Sequence, residues 1–362
     1  MGPGMQNQSI LSRTVSWLRF PLIVGVIFLH VRISGGGSEV AQHALDHLPV
    51  AQFLCHKLVR GFANVSVPLF FFFAGYFYFY KTQNFGVPVY LKKVRSRVRS
   101  LAVPFLVWSA LALILIRTLL SFHLLNLEPR WTQERTLFEW LADIYNVNCG
   151  MYQFWFLRDL FIVGLLSPLW RILLKNRVVG IAFLTAAGAI YFFAEELGLS
   201  FFARSSAAPF FFCAGAFFSI HERDFVEDFS KVGIPALVAF FPLLFAQALT
   251  GGVAHLLTLR AFICVAVVAV VFVVSRGIAS GKLRESAFLS SASFFVYAAH
   301  TPFLSHVVGK FFFETLGATS SNITAIICFF VAAILNAAIC VGLYWLVKKI
   351  FPWSLPFLTG GR

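Results

Sequence analysis

Between residues 15 and 347 the chain is almost continuously apolar, and short polar hinges of charged residues, Pro, Gly and Asn cut it into ten runs, at 15–33, 60–80, 101–121, 154–174, 178–194, 206–221, 232–250, 256–275, 288–309 and 323–347. A bilayer's hydrocarbon core takes about 20 apolar residues per spanning helix, so each run predicts a membrane-crossing helix. The expected fold is all-α, a polytopic integral membrane bundle of about ten transmembrane helices with a range of nine to eleven. That range comes from the marginal runs: the first is short and carries Arg19 and His30, and 178–194 and 206–221 lie near the lower length limit. Composition excludes a soluble fold. The 362 residues are 59% hydrophobic and 12% charged, against a globular norm of roughly half and a quarter. Little chain is left for a separate water-soluble domain. Residues 1–12 form a polar tail with too little apolar surface to order, 13–350 a single transmembrane domain, and 351–362 a short cytoplasmic tail.

The net charge of +14 would suggest nucleic acid in a soluble protein, but here the loops account for it. Assigned alternately along the runs, eighteen Lys and Arg fall on one side and eight on the other, and the longest loop of the poorer side, 122–153, carries Glu128, Glu134, Glu139 and Asp143. The basic side is therefore expected to be cytoplasmic, with both termini there and an even number of spans. A nucleic-acid partner is not required. The first run does not read as a cleaved signal peptide, because Arg19 and Pro21 stand at its start, His30 ends it and no A-x-A site follows. Six cysteines are dispersed without CxxC or Cys/His spacing, so neither a metal site nor a disulfide framework is expected.

Ionisable groups inside hydrocarbon cost several kcal/mol unless paired or hydrated, so their positions are the functional clues. Four places qualify. Arg19 and His30 are eleven residues apart, three turns plus about 20°, which puts both on one face of the first helix roughly 16 Å apart along its axis. They can line one cavity, although each could also snorkel to its own interface. Lys92-Lys-Val-Arg95-Ser-Arg97-Val-Arg99 precedes the third run and serves equally as a positive-inside anchor or as a mouth for a polyanion such as nucleotide phosphates. Tyr152-Gln-Phe-Trp155-Phe-Leu-Arg158-Asp159 enters the fourth run. Trp155 and Asp159 share a face, whereas Arg158 and Asp159 project about 100° apart and need not pair. An aromatic belt explains Tyr152 and Trp155, but not a carboxylate two turns into the apolar run. Lastly, Ser293-Phe-Phe-Val-Tyr297-Ala-Ala-His300-Thr-Pro302 puts Tyr297 and His300 on one face just before a proline that frees backbone carbonyls. The motifs Pro68-Leu-Phe-Phe-Phe-Phe-Ala-Gly75 and Pro209-Phe-Phe-Phe-Cys-Ala-Gly215 predict two close helix contacts through a small residue rather than a duplication.

In their order along nearly the whole chain, Arg19 with His30, Arg95-Ser-Arg97 ahead of Pro104, Trp155-Phe-Leu-Arg-Asp-Leu160 and Phe-Phe-x-Tyr297-x-x-His300 resemble the membrane-bound acyltransferase-3 family. These are bacterial O-acyltransferases of surface polysaccharides. The resemblance implies transfer of an acyl group, most often acetyl, from cytoplasmic acyl-CoA to a sugar hydroxyl of a surface or lipid-linked glycan, in the bacterial plasma membrane and without a metal. It also implies that His30 is catalytic with Arg19 in support, that Arg95 and Arg97, with Arg99 added, hold the donor, and that Trp155, Arg158, Asp159, Tyr297 and His300 line the substrate pocket. The first helix departs from the pattern in having no carboxylate beside His30, which leaves that histidine's partner open. Imidazole chemistry stands apart from the family: it can abstract a hydroxyl proton or carry the acyl group itself. A transporter or flippase of a glycan precursor or solute would also use buried Arg, His and Asp, although paired broken helices are not evident.

Overall fold

The computed structural model describes residues 9–31, 33, 47–82, 84–121, 136, 138–139, 142, 145, 151–199 and 205–361. Most of the loop 122–150, with Cys149, and most of the polar N-terminal tail lie outside the described residues. Among the described residues the structure is helical, and each of the ten apolar runs forms helix. In chain order these are α1 (Ile10–His30), α2 (Pro49–Phe79), α3 (residues 87–121), α4 (Trp155–Leu165) followed by α5 (Ser167–Lys175), α6 (Arg177–Phe193), α7 (Ala207–Ile220), α8 (Phe225–Leu249), α9 (Gly252–Ala279), α10 (Ala287–Ala299) and, after a broken stretch, α11 (Asn322–Ile350). Six of them are long and apolar enough to cross a membrane as single helices: α1, α2, α3, α8, α9 and α11. The run expected at 154–174 is interrupted at Leu166 between α4 and α5. Helices α6, α7 and α10 are shorter apolar elements.

The chain is thus a multi-pass helical membrane protein, and its outer surface agrees. Ile114, Val178, Val238, Ile323 and Ile334 are each more than half exposed, which suits a lipid-facing surface where water would penalise it. Helix α1 is the hub, packing against α2, α9, α10 and α11. A helix enclosed by protein tolerates Arg19 and His30 where a lipid-facing one would not, which explains a first run that looked too short and too polar.

Lipid supplies no hydrophobic drive for helix association, so close packing has to do so. Helices α2 and α7 show it. A Cβ built on Gly75 would collide with the Phe212 carbonyl oxygen, and one built on Gly215 would collide with the Phe72 carbonyl oxygen. The two similar motifs therefore pack against each other, each glycine admitting the other helix's backbone. Around this contact Phe72 meets Phe225 edge to face at 5.2 Å between ring centres, and Phe218 meets Phe229 at 5.6 Å. Such tilted pairs suit the aromatic quadrupole.

The segment after α11 is ordered rather than trailing. A short helix, α12 (Leu355–Thr359), tucks against α3, with Trp108 Nε1 donating to Leu358 O at 2.9 Å. Gly360 follows at φ +70°, and a Cβ there would lie 2.6 Å from Ser100 Cα and O. Both the left-handed backbone and the contact require glycine. Gly360→Ala is expected to destabilise the protein by about 1–2 kcal/mol, the cost of an L-residue in that conformation, read as a lower melting temperature in detergent.

Candidate functional site

One end of the site is an aromatic and serine-lined cavity of about 600 Å³ between α1, α2, α3, α4 and α10. Arg19 of α1 and Arg97 of α3 both line it, and the side chain of Arg19 is open to it. Ser16, Ser100, Ser290, Ser291 and Ser293 add hydroxyls, and Phe70, Phe73, Phe77 and Phe156 add apolar walls. The guanidinium of Arg97 is held by Tyr78, whose ring it faces at 5.3 Å while Lys93 lies 5.0 Å from the same ring. Tyr78 is itself fixed by a hydrogen bond with the Ser167 hydroxyl at 2.8 Å. A cation on an aromatic face keeps its charge while losing water, so it is poised for an anion. Arg95 and Arg99 are exposed and do not line the cavity. On a helix, positions 95 and 97 differ by about 200°, so one cavity receives only one of the two.

The other end is a pair of imidazoles. The rings of His30 and His300 are 5.2 Å apart between centres, and Tyr152 covers His30 edge-on at 4.9 Å. The chain builds this end by breaking a helix. The backbone leaves helical geometry at Thr301 (φ −143°, ψ 162°), as expected for a residue followed in sequence by proline. Carbonyls freed by the break would be unsatisfied in a bilayer, and side chains from other elements meet them. Asn336 Nδ2 of α11 donates to His300 O at 3.1 Å, Ser305 Oγ donates to the same oxygen at 2.6 Å, and Gln153 Nε2 donates to Thr301 O at 3.2 Å. Tyr297 OH donates to Gln153 O at 2.6 Å.

This scaffold fixes the state of His300. Its Nδ1 lies 2.7 Å from Tyr297 O, which can only accept, so Nδ1 carries the proton and Nε2 presents a lone pair. His300 is fully buried, and its Nε2 has no hydrogen-bond partner. Two further unpartnered buried atoms, Gln153 Oε1 and Thr301 Oγ1, belong to the same broken-helix region. A buried orphan polar group is rare enough to point to a functional site.

Residues 13–345 match the family described as an acyltransferase domain. The chain belongs to the acyltransferase-3 family. Over 97% of its length it is 26% identical to the succinoglycan biosynthesis protein ExoH of Rhizobium meliloti (strain 1021), of which the match covers 93%. No solved structure matches the chain.

In this acyltransferase the expected site residues divide into those brought together and those set apart. Arg19, Arg97 and Tyr297 line one cavity, while His30 and His300 meet just beyond it. Trp155, Arg158 and Asp159 do not line that cavity, although their neighbours Phe156 and Leu160 do. Arg158 and Asp159, whose helical directions left pairing open, do pair: Arg158 Nε donates to Asp159 Oδ1 at 2.9 Å. The long guanidinium arm bends back to a carboxylate that is only 6% exposed and would otherwise stand uncompensated in a medium of low dielectric. Arg158 also donates to Tyr145 O at 3.3 Å and faces its ring at 5.6 Å, so this pair anchors the segment ahead of α4.

Several contributors were not singled out from sequence. Asn336 and Gln153 are polar residues in apolar surroundings, a signal the sequence did carry. Arg60, whose Nη2 donates to Leu29 O at 2.9 Å, satisfies a carbonyl at the end of α1 one residue before His30. The cavity serines carry no charge to mark them. Among the described residues no three His, Cys, Asp or Glu side chains converge as metal ligands.

Proposed function

We propose that this acyltransferase moves an acyl group, most often acetyl, from cytoplasmic acyl-CoA to a sugar hydroxyl of a cell-envelope polysaccharide or its lipid-linked precursor. It would do so in the bacterial plasma membrane with both termini in the cytoplasm. The observation that carries this reading is a cavity lined by both Arg19 and Arg97 whose wall residue Tyr297 neighbours the His30–His300 pair. Two guanidiniums at one end suit the phosphates of a nucleotide donor, and the aromatic and serine walls suit an extended pantetheine arm. The glycan acceptor is supported by the relative named for succinoglycan biosynthesis.

In this mechanism His30 takes the proton from the acceptor hydroxyl as its oxygen attacks the thioester carbonyl. The C–O bond forms, the C–S bond breaks, and the proton passes from His30 to the departing thiolate. His300 supports the step, because its Nε2 lone pair can accept an N–H of the charged His30 ring. That takes the place of the carboxylate missing from α1. Arg19 stands roughly 16 Å along the helix axis from His30, too far to stabilise the oxyanion, and binds donor instead.

Arg97→Ala is expected to raise the KM for acetyl-CoA roughly ten- to hundredfold, the value of a hydrogen bond to a charged group, while the KM for acceptor stays within about twofold. Steady-state release of CoA by purified protein in nanodiscs, with each substrate varied in turn, checks this. Equal effects on both substrates would remove Arg97 from the donor site. Movement of labelled glycan across vesicles without thioester consumption would replace acyl transfer by transport.

A further inference from the structure

The cavity stops one turn short of both histidines. Along α1 its lining ends at Val26, four residues before His30, and along α10 it ends at Tyr297, three residues before His300. Tyr297 is the lining residue next to the imidazole pair. It stacks on Phe154 at 5.8 Å, meets Phe156 edge-on at 5.9 Å, and lies 6.2 Å from the His300 ring. Tyr297 is 5% exposed, and one polar tether, from its hydroxyl to Gln153 O, holds its outer end. Beyond it the environment changes: His30 is only half-buried and the neighbouring Tyr152 is 43% exposed.

We propose that Tyr297 is a movable partition between the donor cavity and the histidine pair, which makes the enzyme select an acceptor hydroxyl over water. This rests on the acyl-transfer reading and extends it to specificity. A thioester beside an imidazole open to water hydrolyses: water adds to the carbonyl, the C–S bond breaks, and the products are a free carboxylic acid and the CoA thiol. Water is far more abundant than any glycan, so an unbroken passage would waste donor. Excluding water from a reactive group is a standard task of an active-site closure. The tether is placed for control, because Gln153 also holds the Thr301 carbonyl of the broken helix, so a shift of that segment on acceptor binding reaches the ring through one residue.

The test compares CoA thiol release with acyl glycan formed, using purified protein in nanodiscs, acetyl-CoA, and a purified envelope glycan either present or withheld. Wild type is expected to release one CoA per glycan acylated and little CoA without glycan. Tyr297→Leu, which removes the ring, is expected to raise acceptor-independent release about tenfold and break that stoichiometry. Tyr297→Phe keeps the ring volume and loses only the tether, so it should fold normally and leak to a smaller extent. Tight one-to-one coupling in both variants would overturn the partition, as would loss of all CoA release in Tyr297→Phe, which would make the phenol a reacting group. Wild-type protein that consumes neither acetyl-CoA nor any longer acyl-CoA, with or without glycan, would overturn the acyl-transfer reading, and the partition with it.

Discussion

Replacing His30 with Ala is expected to lower acyl transfer by about a thousandfold or more, within the range that loss of a general base costs. Folding should be nearly unaffected. His30 is the last residue of α1, half-buried, and it packs beside Tyr152 and His300 at the end of the helix, away from the glycine contact between α2 and α7. The donor should still bind, because Arg19 and Arg97 line a cavity that does not include residue 30. The signature is therefore a lost kcat with acetyl-CoA affinity retained, measured by single-turnover transfer beside equilibrium binding of donor. Full activity in His30→Ala would refute the assignment of the base.

Gly215→Ala should have the largest effect on stability. The added methyl would meet backbone, not a flexible side chain: the Phe72 carbonyl oxygen, with Tyr76 N at 2.9 Å. Backbone of a packed helix cannot rotate aside, so α2 and α7 must separate, and the tilted Phe72, Phe218, Phe225 and Phe229 rings between α2, α7 and α8 lose contact together. The cost is expected to reach about 3 kcal/mol or more, at the upper end of overpacking. Gly75→Ala should behave alike, since it meets the Phe212 carbonyl in the reciprocal position. Because both substitutions separate the same helix pair, the double variant should cost less than the sum of the two. Unfolding in a denaturing detergent series measures all three. By contrast, Gly342→Ala on α11, where nothing lies within 4 Å of an added Cβ, should change little.

Much of the bundle was legible because a membrane helix announces itself by length and apolarity. All ten runs form helix, and the two Pro-Phe-Gly motifs do mark close contacts. That they contact each other was not legible, since periodicity describes one helix at a time. The site divides along the same line. Helical geometry put Arg19 and His30 on one face and Tyr297 and His300 on another, and the structure sets these faces against each other at the cavity and the imidazole pair. The same geometry left the pairing of Arg158 and Asp159 open, because a side chain with four rotatable bonds is not bound by the direction of its Cβ. It also offered no reason to prefer Arg97 over Arg95 until Tyr78 supplied one from another helix. The break at Thr301 could be anticipated from the following proline. Its consequence, the His300 and Thr301 carbonyls satisfied by three side chains, those of Gln153, Ser305 and Asn336, depends on residues up to 148 positions away.

In the proposed reaction the donor enters at the Arg19 and Arg97 end and the acceptor meets His30 at the other. Sealed vesicles of known orientation test this with radiolabelled acetyl-CoA, which does not cross a bilayer. Label is expected to reach glycan when the donor is supplied to the cytoplasmic face and not when it is supplied to the opposite face. Label transferred from the opposite face alone, or equally from both, would contradict it.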